Sequence, residues 1–277
     1  VIVLAGFQGV NIYGDITSLG RGGSDTTAVA IAASINADRC DIYTDVDGVF
    51  TADPNIDINA KKIDKVSYEE MLEMSSTGSK VLQTRSVELA MKNNLILQVL
   101  SSITNLEGTY IVDENELVEK EIVSGVSYSK NESKITISGI PDKPGISAKI
   151  FGLMASNNIN VDMIVQNISQ DGVNANMTFT VPFKDLNFSK DILEKHKLEL
   201  NYSYLSTDVD ISKISVVGMG MMSQSGVAEK MFRTLAENKI NILAISTSEI
   251  KISVLIEKKY TELAIKSLHA VYKLNNK

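Results

Sequence analysis

Hydrophobic positions along the chain fall into two regimes. Residues 1–7 (VIVLAGF) are nearly continuous in apolar side chains, which predicts a buried strand. Residues 11–18 are polar and predict a loop. A helix beginning at Ser24 or Asp25 and running to about Asn36 is apolar on almost every side, so it is expected to be enclosed. Residues 39–45 (RCDIYTD) predict a short strand ending in Thr44 and Asp45, followed by the turn-rich DGVFTADPN. Residues 67–94 predict two helices broken near Thr77 and Gly78, with Met71 and Met74 at helical spacing in the core. Residues 95–102 return to a strand. Strands alternating with helices predict a largely parallel α/β sheet.

After Thr109 the pattern changes. LVEKEIVSGVSYSK carries a short strand, 121–128, within a charged linker. An internal repeat comes next, in which residues 139–164 resemble 218–245. At an offset of 81, Gly145 meets Gly226, Lys149 meets Lys230 and Phe151 meets Phe232. Ala155, Asn157, Ile159 and Asn160 likewise meet Ala236, Asn238, Ile240 and Asn241. Each copy reads strand, glycine turn, helix, strand, strand, helix. The second copy lacks a last strand, and the first is preceded by a spare one. The economical topology lets 121–128 complete the second copy's sheet, so that one repeat is inserted within the other.

Composition narrows the class. A chain of 277 residues suggests about two domains. A net charge of −7 argues against nucleic-acid partners. No apolar run approaches the roughly 20 residues that span a bilayer, so no membrane role is expected. The single cysteine, Cys40, forms no internal disulfide, reads as a buried thiol and fits a reducing, cytoplasmic setting. His196 and His269 fall in charged or amphipathic helical stretches and are expected at the surface. The chain opens in the middle of a strand pattern without an initiator Met, which suggests a fragment of a longer protein.

LGRGGSDTTA, residues 19–28, carries the first candidate chemistry. Backbone at Gly22 and Gly23 can approach a ligand closely and take positive φ. The helix after them offers free N–H groups and a positive dipole end, and Ser24 or Asp25 can cap it. Arg21 adds a fork suited to a carboxylate or phosphate, whereas Asp25 suits a metal ion or an ammonium group. Together they fit a zwitterionic amino acid beside a phosphate, or, more simply, an N-capped helix behind a glycine turn. Thr44 and Asp45 end a strand at the carboxyl edge of an α/β sheet, where ligands bind. The adjoining TDVDGVFTADP fits a nucleotide-holding loop or a turn set by Asp-Gly and Asp-Pro. Lys80, opening a helix after Gly78 and Ser79, fits a phosphate contact or a solvated lysine. The turn DKPG, residues 142–145, precedes a helix whose N-terminus suits a carboxylate.

GFQGV, LGRGGSDTTA, IYTDVDGVFTADP, GSKVLQTRSVE, DKPG, the Ile-Asn of both repeats and STSEIKISVLI, taken in order, resemble the aspartate kinases of the amino-acid kinase family over essentially the whole chain. The resemblance implies an amino-acid-kinase domain truncated at its N-terminus, over 1–112. Two ferredoxin-like (βαββαβ) ACT domains would come after it, the first over 133–207 and the second over 121–128 plus 210–277. It implies phosphorylation of L-aspartate by ATP to 4-phospho-L-aspartate, the first step toward lysine, threonine and methionine, with feedback by amino acids. Phe7, Arg21, Gly22, Gly23 and Ser24 would bind substrate, with Arg21 and Asp25 catalytic. Thr44, Asp45, Phe50, Asn55, Lys80 and Val81 would hold ATP, with Mg²⁺ carried by the nucleotide and no protein ligand to it.

Two positions depart from the family pattern: Phe50 stands where many members have Tyr, and Asn55 where many have Arg. The family's Lys-x-Gly-Gly-(Thr/Ser)-Ser loop does not occur here, so the chain alone is expected to be catalytically incomplete. An effector amino acid, lysine or threonine or both, would sit near Asp142, Lys143, Pro144, Gly145, Ile146 and Ser147. Asn160, Val161, Asp162 and Gln166 would complete that side. Asn241, Ile242, Ser248 and Glu249 of the second repeat would contribute across a homodimer interface. Asp162 or Glu249 would meet the effector's ammonium group. Two other readings remain: a regulatory ACT subunit without catalysis, and an amino-acid kinase acting on another substrate.

Overall fold

The computed structural model describes residues 1–78, 81–117, 121–169 and 172–276. The front segment begins with a hairpin, β1 (Gln8–Val10) against β2 (Ile16–Ser18). Asn11 folds the turn, its Oδ1 accepting the N–H groups of Tyr13 and Asp15 at 2.9 Å each, so residues expected to be loop return as a strand. Residues 1–7, expected as a buried strand, form none, and Val1, Ile2 and Val3 are exposed. A strand persists only where a neighbour satisfies its amides, and none of the described strands runs beside these residues.

Helix α1 (Gly23–Ser34) starts from Gly22, whose φ of 71° is left-handed. No side chain caps it, and Ser24 and Asp25 lie in its first turn instead, because the bend at Gly22 begins the helix earlier than a Ser or Asp cap would. Only one side of α1 is covered: Val29 and Ala32 are buried while Ile35 is exposed, against the expected enclosure. Next come β3 (Arg39–Thr44), β4 (Lys65–Ser67), α2 (Tyr68–Ser76), α3 (Thr84–Lys92), β5 (Ile96–Ser101) and β6 (Thr109–Val112). Ser67 and Glu70 close a reciprocal capping box on α2. The sheet order is β3-β5-β6-β4. β3 runs parallel to β5 and β4 to β6, but β5 and β6 are antiparallel because a short connection joins them. Two of the three pairings are thus parallel, as expected, and the third is antiparallel. Val66, Met71, Val87, Leu97, Val99 and Ile111 form its solvent-free core.

β7 (Gly125–Ser129) leads out of this segment. The first repeat comprises β8 (Glu132–Pro141), α4 (Ile146–Ser156), β9 (Asp162–Ile168), β10 (Asn174–Pro182), α5 (Leu186–Lys195), α6 (Lys197–Leu200) and β11 (Tyr204–Asp208). Its antiparallel sheet has the order β11-β8-β10-β9. The second comprises β12 (Ile211–Val217), α7 (Val227–Glu237), β13 (Ala244–Thr247), β14 (Lys251–Glu257) and α8 (Thr261–Val271). Its order is β13-β14-β12-β7, so the spare strand β7 takes the fourth position from outside the first repeat, antiparallel to β12 from Val217↔Gly125 to Lys213↔Ser129.

The repeat extends to the backbone. α4 and α7 share bounds at the sequence offset of 81, and both start from left-handed glycines, Gly145 (φ 94°) and Gly226 (φ 92°). Ser225 in place of Pro144 therefore leaves the turn unchanged. The edge strands β9 and β13 meet, with Met163 buried beside Ile211 and Leu255 and flanked by Leu243 and Ala244. No described helix is long and apolar enough to cross a membrane.

Candidate active site and effector site

Thr44, Asp45, Phe50, Asn55 and Val81, all expected at a nucleotide, line one cavity of about 760 Å³, within the usual range for small-molecule sites. Lys80 lies outside the described residues. The Thr44 carbonyl is fixed by the Ser102 N–H at 2.7 Å and by its hydroxyl at 2.9 Å, and the Thr44 hydroxyl donates to Asp45 at 3.1 Å. Asn55 is folded back on Asp53: its N–H and Nδ2 donate to Oδ1 at 2.9 and 3.0 Å. Another part of the lining was not anticipated. It is built by residues 126–131, most of strand β7 and the two residues after it, including Ser127, Tyr128 and Lys130. The Tyr128 hydroxyl donates to Asp53 Oδ2 at 3.1 Å, and burial together with the Asp53 charge raises its pKa. Only the topology, which routes this strand past the front segment, signals its presence there.

The loop of residues 19–25, expected at the substrate, is held from both sides. Phe7 accepts the Leu19 N–H at 3.1 Å and donates its own N–H to Thr27 Oγ1 at 3.2 Å. Arg85 Nη2 donates to the carbonyls of Leu19 and Arg21 at 3.1 and 3.2 Å. Gln83 packs on Gly22 so closely that a Cβ there would stand 1.7 Å from Gln83 Cγ. Gln83 also lines the cavity, so loop and cavity share a wall. Gly23 N–H bonds Gly20 and Thr26 N–H bonds Gly22, leaving the amides of Ser24 and Asp25 as those a helix start leaves free. Arg21 and Ser24 are exposed, Asp25 is half-buried, and the Ser24 hydroxyl donates to Asp25 at 3.3 Å. Cys40 is buried in the neighbouring β3; burial, then the Asp41 and Asp25 charges, push its thiol up to about 11, so it stays protonated. Gln83 and Arg85 lie in GSKVLQTRSVE, but their roles arise from contacts some sixty residues away in sequence.

In the first repeat, Asp142, Lys143, Pro144 and Gly145 form an exposed turn before α4, tied to the residue preceding β10 by the Asp142 N–H to Val173 O at 2.9 Å. Ile146 is buried, and the Ser147 hydroxyl donates to Gln166 Oε1 on β9 at 3.1 Å. Asn160 and Val161 lead into β9. Asp162 is engaged: Lys213 Nζ on β12 lies 2.5 Å from its Oδ2 and 3.2 Å from Glu132 Oε1. Asn241 and Ile242 precede β13, Ile242 packing on the second repeat's core. Ser248 turns toward the front segment, its hydroxyl donating to Glu73 Oε1 on α2 at 3.4 Å, while Lys251 Nζ lies 2.6 Å from Glu73 Oε2. Glu249 is exposed. His269, expected at the surface, is buried between α8 and residues 51–57; the fold brings a distant segment over its helix.

Residues 1–101 match the amino acid kinase family, and residues 135–196 and 214–272 each match the ACT domain. Fold and site therefore define an amino-acid kinase segment followed by tandem ACT repeats. The aspartate kinase of Pseudomonas fluorescens (strain SBW25) is 51% identical over 276 residues, covering 99% of this chain and 67% of its own length. The crystal structure of Clostridium acetobutylicum aspartate kinase superposes with a TM-score of 0.85 at 28% identity, covering 96% of this chain and 62% of that one. Escherichia coli aspartokinase III, in complex with aspartate and ADP (R-state), gives 0.83 at 26% identity over 96% and 59%. The same enzyme with lysine and aspartate (T-state) gives 0.73 at 28% identity over 96% and 58%. The chain belongs to the aspartate kinase family, and it spans roughly three fifths of the length of these solved relatives.

Proposed function

We propose that this chain supplies the aspartate loop, the nucleotide cavity and the effector-sensing repeats of an enzyme that phosphorylates the side-chain carboxylate of L-aspartate with ATP. One observation carries the reading: Gln83 is at once the wall of the cavity and the support of Gly22, so the amino-acid loop and the nucleotide site adjoin. The relative solved with aspartate and ADP supports both ligand classes.

In this reading Arg21 grips a substrate carboxylate and the free amides at the start of α1 face negative charge. The half-buried Asp25 orients the reacting centre, and the side-chain carboxylate attacks the γ-phosphorus in line. Catalysis of this kind is largely positioning and charge neutralisation. Mg²⁺ arrives with the nucleotide, where it neutralises phosphate charge; among the described residues no cluster of three or more His, Cys, Asp or Glu side chains stands ready to hold an ion by itself. The kinase domain occupies 1–112, the first ACT domain 133–207 and the second 121–128 plus 210–277. The ACT domains pair two copies of the chain and bind lysine, threonine or both, an effector carboxylate resting at the α4 N-terminus and its ammonium group near Asp162 or Glu249. The enzyme works in the cytoplasm, at the opening step of amino-acid synthesis from aspartate.

The test is ADP release by the full-length enzyme with aspartate and ATP. Arg21→Ala and Asp25→Asn are expected to abolish most turnover, with thermal shifts by lysine and threonine scored in parallel. Turnover indifferent to both substitutions sinks the assignment. A non-catalytic regulatory subunit would need neither the loop nor the cavity.

A further inference from the structure

A buried polar cluster joins the front segment to the second ACT repeat. His269 on α8 is 1% exposed. Its Nε2 lies 2.9 Å from Thr51 Oγ1 and its Nδ1 3.1 Å from Asp57 Oδ2. Thr51 and Asp57 bracket residues 52–55, which line the nucleotide cavity together with Phe50. Both brackets are otherwise engaged: Thr51 Oγ1 accepts the Lys61 N–H at 2.9 Å, and the Thr51 carbonyl accepts the Val126 N–H of β7 at 2.8 Å. Asp57 Oδ1 accepts the N–H and Nδ2 of Asn59 at 3.0 and 3.1 Å, which leaves Oδ2 to the imidazole. One ring from the last helix thus ties both ends of the loop. A Thr-His-Asp set suggests a nucleophile, but Thr51 is also 1% exposed, and no substrate reaches it.

We infer that His269 is a positioning residue for the nucleotide: from the second ACT repeat it holds residues 51–57 in the shape that lets Phe50, Asp53 and Asn55 line the cavity. The inference rests on the nucleotide reading of that cavity. A buried group that loses its partner costs enough to displace a loop, and a displaced loop is felt by the ligand it lines.

The experiment measures ATP and aspartate kinetics, ADP binding by calorimetry and thermal stability on full-length enzymes carrying His269→Leu, His269→Asn, Thr51→Val or Phe50→Ala. His269→Leu and Thr51→Val are each expected to raise KM for ATP and Kd for ADP roughly tenfold. KM for aspartate should stay within about twofold, and the double variant should be no worse than the poorer single. His269→Asn keeps a donor toward Asp57 and recovers part of the loss. Should His269→Leu fail to fold, the isosteric Thr51→Val carries the test. ADP binding that responds to Phe50→Ala but not to Thr51→Val or His269→Asn overturns the inference alone. Binding indifferent to Phe50→Ala overturns the cavity reading and the inference with it. Losses for ATP and aspartate that move in step with melting temperature also overturn it, because they mark a merely structural histidine.

Discussion

Gln83 fills the space that Gly22 leaves by having no side chain: a Cβ on Gly22 would come within 1.7 Å of Gln83 Cγ. Gly22 also holds a left-handed φ of 71°, which costs any other L-residue about 1–2 kcal/mol. Gly22→Ala therefore has to unwind the start of α1 or push Gln83 into the cavity. We expect KM for aspartate to rise at least about tenfold, the equivalent of ~1.4 kcal/mol, with ATP affected less and circular dichroism unchanged. Wild-type aspartate kinetics in this variant would show that Gly22 does not shape the loop.

The junction of the two ACT repeats rests on a buried lysine. Lys213 is 3% exposed and contacts both Glu132 and Asp162. Burial alone would lower its pKa, but the two carboxylates outweigh this and raise it above 10.5. For Asp162 burial pulls upward, and Lys213 outweighs it, bringing the carboxyl below 3.8. A raised lysine contributes stability that is full below its unfolded value and lost as pH rises through the folded one. A lowered carboxylate contributes stability present above its unfolded value and lost as pH falls through the folded one. The melting temperature should therefore be level between about pH 4 and pH 10 and drop on both sides. Lys213→Met should cost about 3 kcal/mol near neutrality, since Glu132 loses its partner, and should blunt the acid and alkaline drops. A variant with the wild-type profile would refute this account.

Much of this architecture was legible because its signals are local. Gly145 and Gly226 mark one left-handed turn before one helix, so the offset of 81 in the sequence reappears in the helix bounds. Counting strands was enough to hand β7 to the second repeat. The failures were non-local. Residues 1–7 are apolar enough for a strand, but apolarity does not supply a neighbour to pair with. His269 sits at a helical position that reads as surface until residues 51–57, some 218 positions earlier, cover it. Gln83, Arg85 and Tyr128 act through contacts made only by folding. The motifs named several of the residues that line the cavity, and the residues that hold those motifs in place stayed hidden.

Glu73 links the second repeat to the α2 residues that border the cavity. It receives Lys251 at 2.6 Å and Ser248 at 3.4 Å from the second repeat, and Met74, Ser75 and Gly78 just beyond it line the cavity. Any shift of the β13–β14 turn is thus passed to the end of α2. Glu73→Gln is expected to leave effector binding, read by thermal shift, nearly intact. The effector concentration for half-inhibition should rise about fivefold or more, the lower range of allosteric coupling. Inhibition curves that superpose on wild type would remove Glu73 from the path.

Asn55 offers a gain-of-function test. It is exposed on the cavity wall and turns its amide back onto Asp53, so the wall carries no positive charge at this position. An arginine here is long enough to leave Asp53 and present a planar fork to a phosphate. The Asx turn would survive in part, because the Asn55 N–H, which the substitution keeps, makes one of its two bonds to Asp53. Asn55→Arg in the full-length enzyme should lower KM for ATP by about threefold to tenfold, as one charge-assisted hydrogen bond provides. The gain should shrink as salt is raised, since the contact is exposed and screened. An arginine that leaves KM for ATP unchanged at low salt would mean that the phosphates do not come within reach of position 55.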